Sequence, residues 1–142
     1  MVDESASVGI ANFNLMKSFL SQLVARLDID SGNTRVGLAA FSSYVGTAIN
    51  LNAHSTVARL QKAIRSLPKA GSHGINIGTA LAYVRTRMLT SAAGDRSNAL
   101  NVVAVFTAGR SYNVTASRVS IKFAELYMSP VEIEIIMTRE TR

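Results

Sequence analysis

Apolar and polar positions follow two different periods along the chain. Four segments repeat apolar side chains every three or four positions, which predicts helices with one buried face. They are residues 10–27, 56–67, 76–89 and 114–127. Four short apolar runs between them predict strands. They are residues 35–41, 47–51, 101–107 and 131–137. This alternation predicts an α/β domain that is doubly wound, with a mostly parallel sheet and helices on both faces.

The first helix shows the pattern in most detail. Its predicted core face comprises Ile10, Phe13, Leu20, Leu23, Val24 and Leu27, and its predicted solvent face comprises Asn14, Lys17, Ser21 and Gln22. Ser55 or Thr56 is expected to cap the second helix, and the strands at 35–41 and 47–51 are expected to form a hairpin.

Composition narrows the function classes. A chain of 142 residues with 48% hydrophobic residues is large enough for one domain with a real core. The absence of cysteine excludes disulfides, thiol nucleophiles and cysteine-based zinc sites. The net charge of +6 is uneven, because residues 31–94 contain no Asp or Glu but include seven of the Lys and Arg residues. No motif of a phosphate loop or a hydrolase is present, so we predict no enzymatic activity.

A candidate metal site lies directly before the first helix. Asp3, Ser5 and Ser7 occupy alternate positions, so their oxygens can converge on one side of a loop. One carboxylate and two hydroxyls suit a hard cation such as Mg²⁺, which keeps water in its remaining positions. The alternative is that Ser5 or Ser7 only caps the helix.

Several segments resemble the von Willebrand factor type A domain. They appear in family order, as D-E-S-A-S-V-G at 3–9 with Phe13, T-R-V-G at 34–37 leading into Phe41 and Ser42, G-I-N-I-G-T-A-L at 74–81 and F-T-A-G-R-S at 106–111. The chain is most similar to the extracellular-matrix members, of the collagen VI, matrilin and invertebrate matrix-protein types. The resemblance implies one such domain over residues 1–142.

The resemblance implies a metal-ion-dependent adhesion site in which Asp3, Ser5 and Ser7 match the family. Two further family ligands are replaced, by Ile75 in the second loop and Ala108 in the third. With a single carboxylate left, we expect Mg²⁺ to bind weakly or not at all. Thr107 or Thr79 is an alternative source of a hydroxyl ligand.

The function that the resemblance implies is adhesion in a secreted or extracellular-matrix protein, without catalysis. A collagen-like matrix protein is the expected partner, bound through loops at one end of the sheet. The candidate contact residues are Glu4, His73, Ile75, Ala108 and Arg110, and Asn113 begins a glycosylation triplet next to them.

Binding of a sulfated or acidic polymer, without metal, is the alternative function. Arg59, Lys62, Arg65 and Lys69 recur every three or four residues and predict a basic stripe along the second helix. The same stripe is also consistent with an ordinary solvated face. Nucleic acid is not expected as a partner.

Both ends depart from the family pattern. The first strand is expected to be largely missing, because only Met1 and Val2 precede Asp3, and so are the last strand and helix. We therefore expect the chain to be an incomplete domain that folds poorly alone, since unpaired backbone groups in a buried sheet cost about 1–3 kcal/mol each.

Overall fold

The structure is a computed structural model that describes residues 1–107 and, as backbone, residues 132–136. Three helices precede the fourth strand: α1 at Gly9–Val24, α2 at Val57–Arg65 and α3 at Ile77–Tyr83. The strands are β1 at Val2–Asp3, β2 at Leu38–Phe41, β3 at Val45–Ile49, β4 at Val103–Thr107 and β5 at Glu132–Ile136. A 3₁₀ turn at Ala6–Val8 precedes α1, a π-helical turn at Val84–Met88 continues α3, and a 3₁₀ turn lies at Ser91–Ala93.

The order of these elements confirms the predicted alternation, with strand and helix ends shifted by a few residues. The predicted helix at 114–127 lies outside the described residues. Thr56 caps α2, because its side chain accepts a hydrogen bond from the Arg59 backbone N–H.

The five strands form one sheet in the order β3-β2-β1-β4-β5. Among the described strands, β1, β2 and β4 form a parallel centre, and β3 and β5 run antiparallel to their neighbours at the two edges, as the predicted hairpin of β2 and β3 requires. At the β3 edge the reason is the connection, because only residues 42–44 separate β2 from β3 and so short a link joins antiparallel strands.

The first strand is present, although it is only two residues long. Val2 pairs with Ala40 on one side and with Phe106 on the other, so β1 occupies the centre of the sheet. The Phe106 N–H also donates to the Met1 carbonyl at 2.9 Å, and the Glu4 N–H donates to the Phe41 carbonyl at 2.8 Å. The expected row of unpaired backbone groups is therefore absent at these positions.

Alternate strand residues enter different cores, which puts helices on both faces as predicted. Leu38, Ala40 and Phe106 join the core cluster that holds α1 and α2. Ala39, Phe41, Val103 and Val105 join the clusters that hold α3 and the turn after it.

The face assignment for α1 is partly wrong. Phe13, Leu20 and Val24 are buried, together with Met16. Ile10 is 61% exposed, and Leu23 and Leu27 are also exposed, whereas Ser21 is buried. The reason is that α2 packs against α1 at Ser21: Gln61 donates to the Ser21 carbonyl and Arg65 to its hydroxyl. The buried stripe is therefore rotated toward α2.

Candidate functional site

Asp3 ends the central strand, and its carboxylate is completely buried. The Ser5 backbone N–H donates to one carboxylate oxygen at 2.8 Å, and the Thr107 hydroxyl donates to the other at 2.7 Å. Thr107 ends the neighbouring strand β4, so the parallel pairing of β1 with β4 brings these two side chains together. A buried carboxylate needs such donors, because it has lost its hydration.

Ser5 and Ser7 place two hydroxyl oxygens 2.9 Å apart. Ser5 is buried, whereas Ser7 lies on the surface. In octahedral Mg²⁺ coordination, ligand distances of 2.0–2.1 Å put adjacent oxygens about 2.9 Å apart. The pair therefore has the spacing of two neighbouring ligands, as well as that of a hydrogen bond.

The capping alternative for these serines is wrong. Val8 is the N-cap residue of α1 and Ser5 that of the preceding 3₁₀ turn, and no side chain caps either element. The Ser5 and Ser7 hydroxyls bond each other instead, so both oxygens lie together within the loop.

The donor set of this loop fits a divalent cation only in part. Asp3 provides one negative charge, and Ser5 and Ser7 provide two neutral oxygens at a suitable spacing. Within the described residues, no three His, Asp or Glu side chains come together to hold a metal. Of the two alternative hydroxyl ligands, Thr107 lies at the site, where its hydroxyl donates to Asp3. Thr79 lies at the start of α3, where its backbone N–H donates to the Asn76 side chain.

Hydroxyls from two further loops border the site, and the sequence pattern did not single them out. The Ser72 carbonyl accepts from the Ala6 N–H at 2.9 Å, and the Ser72 N–H donates to the buried Ser42 hydroxyl at 3.1 Å. The Ser72 hydroxyl also lies 3.0 Å from that of the exposed Ser43. The signal available for Ser42 was its position, a polar residue directly after a buried strand.

Glu4 and Ile75, which were expected among the contact residues, are buried side chains and are not exposed on the loop surface. Glu4 is only 1% exposed, because its side chain turns inward and accepts from the Ala70 N–H. Ile75 is buried with Phe41, Ile77 and Val105. His73 is exposed, in the segment next to Ser72. Ala108, Arg110 and Asn113 lie outside the described residues.

Lys69 supports the Asp3–Ser7 loop and is not part of a stripe on α2, which ends at Arg65. Its ammonium donates to the Ser5 carbonyl at 2.9 Å and to the Glu4 carbonyl at 3.2 Å. Arg65 donates to the Ser21 hydroxyl on α1. Of the four predicted anion-binding residues, Arg59, Lys62 and Arg65 are exposed on α2, and within the described residues the Arg59 and Lys62 side chains make no hydrogen bond.

Two glycines allow neighbouring segments to approach Glu4 closely. A Cβ added to Gly71 would lie 1.9 Å from the Glu4 carbonyl oxygen, and one added to Gly46 would lie 2.3 Å from a Glu4 carboxylate oxygen. A side chain at Gly71 would therefore overlap with backbone, whereas one at Gly46 would displace the buried Glu4 carboxylate. The Glu4 side chain is enclosed by β3 on one side and by the loop after α2 on the other.

Comparison with known sequences places this site in context. The family profile of the von Willebrand factor type A domain matches residues 1–136. Mouse von Willebrand factor A domain-containing protein 2 is 36% identical over 109 residues, which are 77% of this chain and 14% of that protein. Human matrilin-4 is 40% identical over 114 residues, 78% of this chain and 18% of that protein. The mouse collagen alpha-4(VI) chain is 34% identical over 113 residues, 78% of this chain and 5% of that protein.

Solved structures of a mussel matrix protein are also similar to this chain. Proximal thread matrix protein 1 from the mussel byssus superposes with a TM-score of 0.73 at 28% identity, over 79% of this chain and 30% of that chain. Another structure of the mussel protein, with a zinc-occupied MIDAS motif (metal-ion-dependent adhesion site), gives a TM-score of 0.71 at 28% identity, over 82% of this chain and 32% of that chain. The chain thus spans less than a third of the length of each protein compared.

Proposed function

The chain belongs to the von Willebrand factor type A family, and on this basis we propose that it is a non-enzymatic adhesion module. It binds an extracellular-matrix protein of the collagen type through the loops at the carboxyl end of its parallel strands. Matrilin-4, a collagen VI chain and a byssal thread matrix protein are matrix proteins, which supports a secreted location. No helix in the described part of the chain is long and apolar enough to cross a membrane.

The observation that carries this proposal is the arrangement of the Asp3–Ser7 loop. Buried hydrogen bonds fix Asp3 and Ser5, while Ser7 reaches the surface with its hydroxyl 2.9 Å from that of Ser5. Exposed Ser43 and His73 lie on the two adjoining loops. A rigid polar loop with exposed neighbours suits recognition of a partner side chain, because little ordering is required on binding.

Binding to immobilised fibrillar collagen, measured by surface plasmon resonance, tests the proposal. We expect Ser7→Ala and His73→Ala to weaken binding about three- to tenfold, since each removes one polar contact worth about 0.5–1.5 kcal/mol. Arg59→Gln and Lys62→Gln, on exposed α2, serve as controls and should change little. Equal losses in the two groups would contradict binding through the loops, and the absence of collagen binding would refute a partner of the collagen type.

Asp3, Ser5 and Ser7 are the residues that would hold a divalent cation. A bound cation would supply a positive charge that attracts an acidic group of the partner. Asp3 and Ser5 are already held by Thr107 and the loop backbone, so these residues position the oxygens whether or not metal is present.

Isothermal titration with Mg²⁺ tests the donor set. With one carboxylate we expect a dissociation constant of about 1 mM or weaker. Ser7→Ala, at the surface, is the variant that removes a ligand oxygen without opening the buried part of the loop. Micromolar binding that Ser7→Ala abolishes would show that residues outside the described range complete the site.

A further inference from the structure

A cleft lies at the end of the sheet opposite the Asp3–Ser7 loop. Residues 33–35 precede β2, residues 94–96 and 98–101 precede β4, and Leu51 follows the antiparallel β3, so all of them meet at the amino end of the parallel strands. Together they line a cleft of about 430 Å³. That volume is in the range of small-molecule sites, roughly 300–1,000 Å³.

Two arginines join the walls of this cleft reciprocally. Arg35, from the wall before β2, donates to the Gly94 carbonyl at 2.8 Å. Arg96, from the opposite wall, donates to the Gly32 and Asn33 carbonyls at 2.9 and 2.7 Å. Because carbonyl oxygens are neutral, these bonds orient the guanidinium groups without cancelling their charge. A guanidinium also carries five N–H donors in a fixed fork, more than these bonds use.

The remaining lining adds neutral polar and apolar groups. Asn98 and Asn101 provide amides, and Leu51 and Leu100 provide apolar surface. Asp95 also lines the cleft and offsets one of the two positive charges. The lining therefore carries a net charge of +1, with amide groups suited to hydroxyls and with apolar surface suited to the C–H face of a sugar ring.

From this combination we infer that the cleft binds an acidic sugar unit, one that carries a sulfate or a carboxylate. The Arg35 and Arg96 guanidinium groups receive the anionic group, since fork-shaped donors match its oxygens. The Asn98 and Asn101 amides bond the ring hydroxyls. The cleft shares no residue with the Asp3–Ser7 loop or with the basic residues on α2. The inference about the cleft can therefore be tested separately from the proposed adhesion function.

Titration of the protein with N-acetylgalactosamine 4-sulfate, followed by amide chemical shifts, tests this inference. We expect saturable shifts at Gly94, Asn98 and Asn101, and far weaker ones with neutral N-acetylgalactosamine or with sodium sulfate at equal ionic strength. No saturable shift at these amides would overturn the proposal. Equal binding of inorganic sulfate would also overturn it, because the sugar would then contribute nothing.

Two variants and two matched controls locate the site. Arg35→Gln removes one guanidinium, and Asn98→Asp adds a negative charge while leaving both arginines in place; each should lower the affinity about tenfold. Arg59→Gln on α2 and Asn14→Asp on α1 make the same chemical changes at exposed positions elsewhere and should leave it unchanged. Asn98 is exposed, so Asn98→Asp decides the question if Arg35→Gln impairs folding. Unchanged affinity in the cleft variants, or equal loss in the controls, would refute the site.

Discussion

The loops at the two ends of the parallel strands β1, β2 and β4 are held in place by different means. At the carboxyl end, Asp3, Glu4 and Ser5 are at most 1% exposed; the hydrogen bonds to the Asp3 carboxylate are buried, and the one to the Glu4 carboxylate is part-buried. At the amino end, Arg35 and Arg96 reach across an open cleft to backbone carbonyls, through one part-buried hydrogen bond from Arg35 and exposed ones from Arg96.

This difference predicts how each end responds to mutation. Water can replace a lost partner at the surface, but it cannot easily reach a buried donor or acceptor, so a lost buried bond costs the full desolvation of the group left behind. Loss of a contact at the carboxyl end should therefore lower the stability of the fold. Loss of a contact at the amino end should lower ligand binding but change stability little. Three substitutions test that contrast.

Gly71→Ala should have the largest effect. The new Cβ would lie 1.9 Å from the Glu4 carbonyl oxygen, which is backbone and cannot move without shifting the Asp3–Ser7 loop. We expect a loss of about 2–3 kcal/mol in the free energy of unfolding, measured by urea denaturation. Gly37→Ala, near the other end, is the control: its added Cβ would lie 2.9 Å from the flexible end of Met88 and 3.0 Å from the Ile49 carbonyl oxygen, so the overlap with backbone and the loss should both be smaller than at Gly71. Equal losses would contradict the contrast.

Lys69→Met should come next. It keeps the length and apolar stem of the side chain but removes the ammonium that donates to the Glu4 and Ser5 carbonyls. We expect a loss of about 1–2 kcal/mol, because Lys69 is partly exposed and water replaces some of the interaction. Faster hydrogen exchange at Ala6 and Val8 should accompany it. Lys62→Met, exposed on α2, should stay within about 0.5 kcal/mol of the parent; a similar loss there would show that general charge, not the loop contact, is responsible.

Arg96→Gln should have the smallest effect on stability. It removes the hydrogen bonds to the Gly32 and Asn33 carbonyls, which water can replace. We expect a loss of about 1 kcal/mol or less in the free energy of unfolding. Hydrogen exchange should become faster in the turn at residues 28–34 and should not change at the Asp3–Ser7 loop. A loss as large as that of Gly71→Ala would show that the amino end is equally dependent on its contacts.

Much of the fold could be read from local pattern. The spacing of apolar residues identified α1, α2 and α3 and the strands β2 to β5, because helix and strand periods are properties of consecutive residues. The loop with Asp3, Ser5 and Ser7 could be found for the same reason, since all three lie within five positions. The two-residue central strand β1 was expected to be missing, because so short a segment has no period of its own. The ends of elements and the exact buried face of α1 were less predictable, because packing against α2 decides them.

Only the tertiary structure decided which residues support the site and which residues face solvent. Thr107 reaches Asp3 across 104 positions of sequence, and Lys69 reaches Ser5 across 64. Nothing in the local sequence of Glu4 distinguishes a buried carboxylate from a surface one; the approach of Gly46 and Gly71 makes that difference. The cleft between Arg35 and Arg96 likewise exists only because sheet pairing brings two distant loops together, since side-chain contacts between remote segments depend on chain topology and not on sequence period.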